Sequence, residues 1–191
     1  MDSRDKISQI FLESIDVKKK FIADPSAISN VAASVTAIKD CYARGGKVIV
    51  FGNGGSASDS QHMAGELVVR FRKERKALAC ISLSADTAIL TAASNDYDFS
   101  KVFVRQMEAL LKREDLVIAI STSGNSPNVI EAVRYAKDRK VPVIALTGKS
   151  GGELAGLADI PIVVKSPVTA RVQETHSAIM HAICELVEED L

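Results

Sequence analysis

Short β-branched runs alternate along this chain with longer segments in which apolar positions recur every three to four residues. Ile7, Ile10, Phe11, Ile15 and Val17 give residues 3–22 helical spacing. Asp24-Pro25, an N-cap followed by proline at the first helical position, predicts a second helix to about residue 43, stopped by Gly45-Gly46. The run KVIVF at 47–51 then reads as a buried strand, with a helix over about 56–71. Further strands are predicted at 78–83, 116–120, 141–146 and 160–164. Helices are predicted at 87–93, 99–112, 126–139, 152–158 and 169–189. Strands and helices in alternation imply an α/β architecture, a five-stranded parallel sheet covered on both faces, with the two leading helices packed outside it. Such sheets bind ligands beyond the carboxyl ends of their strands, so residues just after 51, 83, 120 and 146 are where chemistry is expected.

The chain has 191 residues, a length for one domain, divided here into a helical pair (1–44) and a layered remainder (45–191). Lys plus Arg and Asp plus Glu both total 24. A formal net charge of zero supplies no field for nucleic acid or acidic lipid, and neither is expected as a partner. Cys41, Cys80 and Cys184 are scattered, without CxxC spacing, which points to reduced thiols and a cytoplasmic location. The polar N-terminus carries no signal-peptide pattern, and no apolar run is long enough to cross a bilayer.

Two strand-to-helix loops are shaped for an anion. The first, Gly52-Asn53-Gly54-Gly55-Ser56-Ala57-Ser58, opens a helix whose free amides and dipole favour negative charge. Positions 52, 54 and 57 match a G-x-G-x-x-A fingerprint, but the acidic residue a dinucleotide site needs about 20 positions on is missing. The second loop gathers the hydroxyls of Ser121, Thr122, Ser123 and Ser126 before Pro127. One of these, Ser126, is expected to cap the following helix. The set suits a phosphate monoester held by neutral donors. Neither loop is a GxxxxGK[ST] nucleotide loop, so nucleotide hydrolysis is not expected.

All three histidines fall in two windows. His62 and Glu66 stand four apart on the helix after the first loop and share a face. Gln173, His176 and His181 lie on the last helix; His176 reads as structural, and His181, beside Ile179, Ile183 and Leu186, reads equally as a satisfied core histidine or as a functional one.

The segments FGNGGSAS (51–58), HMAGE (62–66), Asn95-Asp96, STSGNS (121–126), LTGKSGG (146–152) and RVQETH with His181 resemble, in order and spacing, the phosphoheptose isomerase family within the sugar isomerase (SIS) domain proteins. The resemblance implies a three-layer flavodoxin-like sandwich and a cytoplasmic homotetramer. It also implies conversion of sedoheptulose 7-phosphate to D-glycero-D-manno-heptose 7-phosphate through an enediol, an early step toward activated heptose and lipopolysaccharide. Glu66 would be the base and His181 its partner acid. Asn53, Gly54, Gly55, Ser56, Glu66, Asn95, Asp96, Ser121, Thr122, Ser123, Ser126 and Gln173 would contact substrate. His62, Glu66, Gln173 and His181 would bind one zinc ion per subunit. A non-catalytic relative, the DnaA initiator-associating protein, resembles the chain over the same length but lacks the equivalents of Glu66 and His181. Eight residues separate Gln173 from His181, about 12 Å along a helix and about 80° around it. One helix cannot easily bring both to one ion, so a site shared between subunits is expected.

Overall fold

The computed structural model describes residues 2–189. Five strands, β1 (Val48–Gly52), β2 (Cys80–Ser82), β3 (Leu116–Ser121), β4 (Val143–Gly148) and β5 (Ile160–Val164), form one sheet in the order β2-β1-β3-β4-β5. Every pairing is parallel. The helices are α1 (Ser3–Ile22), α2 (Pro25–Ala43), α3 (Gly55–Val68), α4 (Thr87–Asp96), α5 (Val102–Leu110), α6 (Pro127–Asp138), α7 (Gly152–Leu157) and α8 (Thr169–Glu188).

The two-residue period of a strand divides the core into two layers. Val48 and Val50, Leu116, Ile118 and Ile120, and Ile144 and Leu146 pack on α2, α3 and α8. The intervening Ile49 and Phe51, Val117 and Ala119, and Val143 and Ala145 pack on α5 and α6. This is the three-layer flavodoxin-like arrangement expected from the sequence. Its strand order reverses between β1 and β3, which opens a crevice above their carboxyl ends.

The element ends show where local chemistry overrides periodicity. Asp24 caps α2 by accepting the N–H of Ser26. Helix α3 stops at Val68 rather than near 71, because a downstream arginine takes its last carbonyls, as described below. The segment predicted as one helix over 99–112 is a 3-10 turn (Phe99–Lys101), started by Asp98 accepting from Ser100, followed by α5. Strand β2 keeps only three residues of the six predicted. Helix α1 buries only Ser14 and leaves Ile7, Phe11, Leu12 and Ile15 exposed, Phe11 by 66%. Among the described residues no single helix is long and apolar enough to cross a membrane; α1 and α2 meet that test only as a pair bent by 79°.

Beneath the sheet's carboxyl edge, His176 is fully buried and one ring nitrogen donates to the Thr147 carbonyl at 2.9 Å. Its Nδ1 is buried without a partner. Burial drives its pKa down to about 4, against a smaller upward pull from the Thr147 bond. The unfolded chain therefore binds a proton near pH 6.5 that the folded chain refuses until about pH 4. His176 should leave stability unaffected above that window, erode it as pH falls through it, and cost up to about 3 kcal/mol below it. Denaturant unfolding of wild type and His176→Gln, at pH 7 and at the acid end of the window, should show the smaller acid loss in the variant; equal losses would contradict this.

Candidate functional site

Helices α3 and α8 lie side by side and run in the same direction, with contacts in nearly constant register. The side-chain amide of Gln173 covers Gly55, where an added Cβ would meet its Nε2 at 2.3 Å. One turn on, the Ser177 hydroxyl donates to Asp59 Oδ1 at 3.1 Å. Next, His62 and His181 meet edge to face, centroids 5.0 Å apart, with their Nε2 atoms separated by 3.4 Å. Beyond the end of α3, the Phe71 ring lies 5.4 Å from that of His181.

Glu66 joins this line from the next turn of α3, its Oε1 2.9 Å from His62 Nε2. His62, Glu66 and His181 each offer a ligand atom, all within 4.8 Å of one another. Two half-buried groups and one exposed imidazole thus present nitrogen and oxygen donors to a common point. Gln173 stands apart from this trio, about 12 Å along α8 from His181. The structure therefore joins three of the four residues proposed as metal ligands and sets the fourth over the first loop.

Asp59 lies between the motifs 51–58 and 62–66 and belongs to neither. It lies one turn before His62, and its Oδ2 is buried without a partner. Burial raises its pKa, opposed by the Ser177 hydrogen bond and the nearby His62 and His181. The available signal was its i, i+3 spacing from His62 on a shared helix face.

The two loops meet above the β1–β3 crevice. Asn53 and Asn128 exchange amide hydrogen bonds at 2.9 Å in each direction. Asn128, 2% exposed, also accepts the Val129 N–H, so it fixes the plane of the Asn53 amide. Asn128 too stands outside the sequence motifs and reads as the second residue of an ordinary helix. In the second loop Ser121 Oγ lies 2.9 Å from Ser126 Oγ and 3.4 Å from Ser123 Oγ. Ser126 occupies the N-cap position of α6, but its hydroxyl makes no capping bond. This corrects the expectation that the side chain caps; only its carbonyl enters the helix, accepting from Val129 and Ile130. The hydroxyl faces its loop neighbours instead, where an anion can use it. Ser56 is buried in the first turn of α3, and Thr122 is half-buried in the second loop. Asn95 and Asp96 stand exposed at the end of α4, bonded to each other at 2.8 Å. Among the described residues, no hydrogen bond joins them to either loop.

Comparison with known proteins matches the SIS domain family over residues 11–148. A phosphoheptose isomerase of Aquifex aeolicus is 49% identical over 187 residues, covering 97% of this chain and 96% of that protein. The solved phosphoheptose isomerase from Neisseria gonorrhoeae superposes with a TM-score of 0.92 at 38% identity, covering 98% of this chain and 99% of its own. That from Francisella tularensis gives 0.92 at 40%, covering 99% and 100%.

Two glycine substitutions test the loop geometry. Gly54 has φ +56° with open space around it, whereas Gly124 has φ +67° and an added Cβ would lie 1.9 Å from the Gly151 carbonyl oxygen. Gly54→Ala should cost about 1–3 kcal/mol, the strain of its φ +56°, ψ −124° backbone alone. Gly124→Ala should cost clearly more, because backbone must also move; denaturant melts giving equal costs would refute the close approach.

Proposed function

The chain belongs to the phosphoheptose isomerase family of SIS domains, and from that premise we propose that it converts sedoheptulose 7-phosphate to D-glycero-D-manno-heptose 7-phosphate. The observation that carries this reading is the convergence of Glu66 and His181 with His62 at the α3–α8 seam. Nothing favours a non-catalytic binding role, which would not need that pair.

Interconverting a ketose and an aldose requires two proton movements. One proton leaves the carbon beside the carbonyl and returns to the former carbonyl carbon. A second passes from the neighbouring hydroxyl to the carbonyl oxygen. Glu66 has one carboxylate that can perform both carbon transfers from a single face. His181 can donate to the carbonyl oxygen and accept the hydroxyl proton as the enediol forms and collapses. The hydroxyls of Ser121, Thr122, Ser123 and Ser126, with the free amides opening α6, hold the phosphate, and that grip supplies orientation. Asn53, Gly54, Gly55, Ser56 and Gln173 line the first loop for the polyol chain, with Asn95 and Asp96 at the rim.

The donor set fits zinc, which takes imidazole nitrogen and carboxylate oxygen. His62, Glu66 and His181 would hold it, with Gln173 the fourth residue the family assigns. A bound zinc would supply Lewis acidity toward the sugar's oxygens.

Glu66 lies eleven residues beyond Gly55, about 16 Å along α3. A heptose 7-phosphate spans roughly 10 Å from its phosphorus to its reacting carbons at bonds of about 1.5 Å. The acid–base pair of one chain thus lies farther along α3 from that chain's own first loop, to which Asn53 and Asn128 tie the serine loop, than the sugar phosphate can span. The reading is therefore a homotetramer in which neighbouring copies share sites, with the exposed apolar positions of α1 as contact surface. The domain comprises the whole chain, residues 1–44 forming its helical pair. Three buried free thiols support a reducing, cytoplasmic setting.

Incubation with sedoheptulose 7-phosphate should yield the aldose, and Glu66→Gln should lower kcat about 10²–10⁴-fold. Near wild-type turnover in that variant would remove Glu66 from the role of base. Glu66→Gln and Ser123→Asp, each inactive alone, should regain activity when coexpressed in one assembly, since some sites then combine an intact loop with an intact carboxylate. No recovery in mixed assemblies would show that each chain works by itself.

A further inference from the structure

The far end of the α3–α8 seam is closed by a buried ion pair that the proton-transfer chemistry does not use. Glu188, seven residues beyond His181 on α8, sends its carboxylate into the segment leaving α3. It accepts the backbone N–H groups of Phe71, Arg72 and Lys73 at 3.2, 2.7 and 2.9 Å. Arg75 Nε stands 3.5 Å from the same carboxylate, and the two side chains are 5% and 1% exposed. The other guanidinium nitrogens of Arg75 reach back to α3, donating to the carbonyl oxygens of Glu66 and Leu67 at 2.8 Å each.

These contacts form a closed circuit. Arg75 grips the backbone of Glu66. Its partner Glu188 grips the backbone of Phe71, whose ring covers His181. Glu188 and His181 are two turns apart on one rigid helix. Burial alone would raise the Glu188 pKa, but the N–H donors of Lys73, Arg72 and Phe71, with Arg75, hold it below the ordinary glutamate value.

A buried ion pair is a weak stabiliser, often replaceable by apolar residues at no cost. Its use here is better explained by what it locates: three consecutive N–H groups gathered on one anion fix a loop that would otherwise leave α3 freely. We propose that Arg75 and Glu188 are positioning residues for the isomerase site, clasping α3 to α8 so that Glu66 and His181 keep their working separation. This rests on the reading of Glu66 and His181 as the acid–base pair.

The test is steady-state kinetics of Glu188→Gln and Arg75→Lys with sedoheptulose 7-phosphate, measured well below each variant's unfolding temperature. Wild type and Glu185→Gln serve as references, the latter loosening only the exposed Arg72–Glu185 pair on the same face. The clasp predicts that kcat falls about tenfold to a hundredfold in both clasp variants while KM stays within about threefold, because transition-state geometry is lost and phosphate binding is not. Glu185→Gln should stay within about twofold of wild type. A folded clasp variant with wild-type kcat, or a loss confined to KM, overturns the proposal. Failure of both clasp variants to fold also overturns it, in favour of a purely structural pair. An inactive wild type would instead refute the isomerase reading itself.

Discussion

The parallel register of α3 against α8 is the constraint on which the site depends. Gly55 meets Gln173, Asp59 meets Ser177 and His62 meets His181, each contact about one turn beyond the last. A slip of one residue would rotate every α8 side chain by about 100° and part the two imidazoles. The register is fixed by the shared core beneath it. Met63 and Leu67 of α3 and Met180, Ile183 and Cys184 of α8 are buried against the same face of the sheet. Packing of that density does not deform continuously, so a surface trio inherits the precision of the core below it.

A second constraint is the crevice at the β1–β3 reversal, which places two helix-opening loops together. The reciprocal Asn53–Asn128 bonds join them, and the uncommitted Ser126 hydroxyl leaves the second loop rich in donors. An anion cradle at one end of α3 and an acid–base trio several turns away make two half-sites on one chain. Each is coherent in itself, and their separation, about 16 Å along the helix, is the ground for the proposal that a second copy completes the site.

Much of this was legible in the sequence. The layers follow from strand runs whose alternate residues are buried on opposite faces, and Asp24-Pro25 marks α2 to the residue. The loops were visible from glycine and hydroxyl density directly after strands. The pairing of His62 with Glu66 follows from four-residue spacing. Tertiary partners were not legible. Ser126 looks like a cap in sequence, yet Ser121, five residues earlier, claims its hydroxyl. Helix α3 looks longer than it is because Arg75, outside the periodic pattern, takes its terminal carbonyls. Asn128 and Glu188 carry no local signal, since their partners lie 75 and more than 110 residues away.

The central claim is that Glu66 and His181 of one subunit act on a sugar whose phosphate sits in the serine loop of another. A crystal structure of the assembled protein with sedoheptulose 7-phosphate bound tests it directly. The account predicts phosphate density against Ser121, Ser123 and Ser126 of one protomer, and the reacting carbons beside Glu66 and His181 of its neighbour. Phosphate and reacting carbons held by one and the same chain, or a sugar bound with Glu66 and His181 turned away from it, would contradict it.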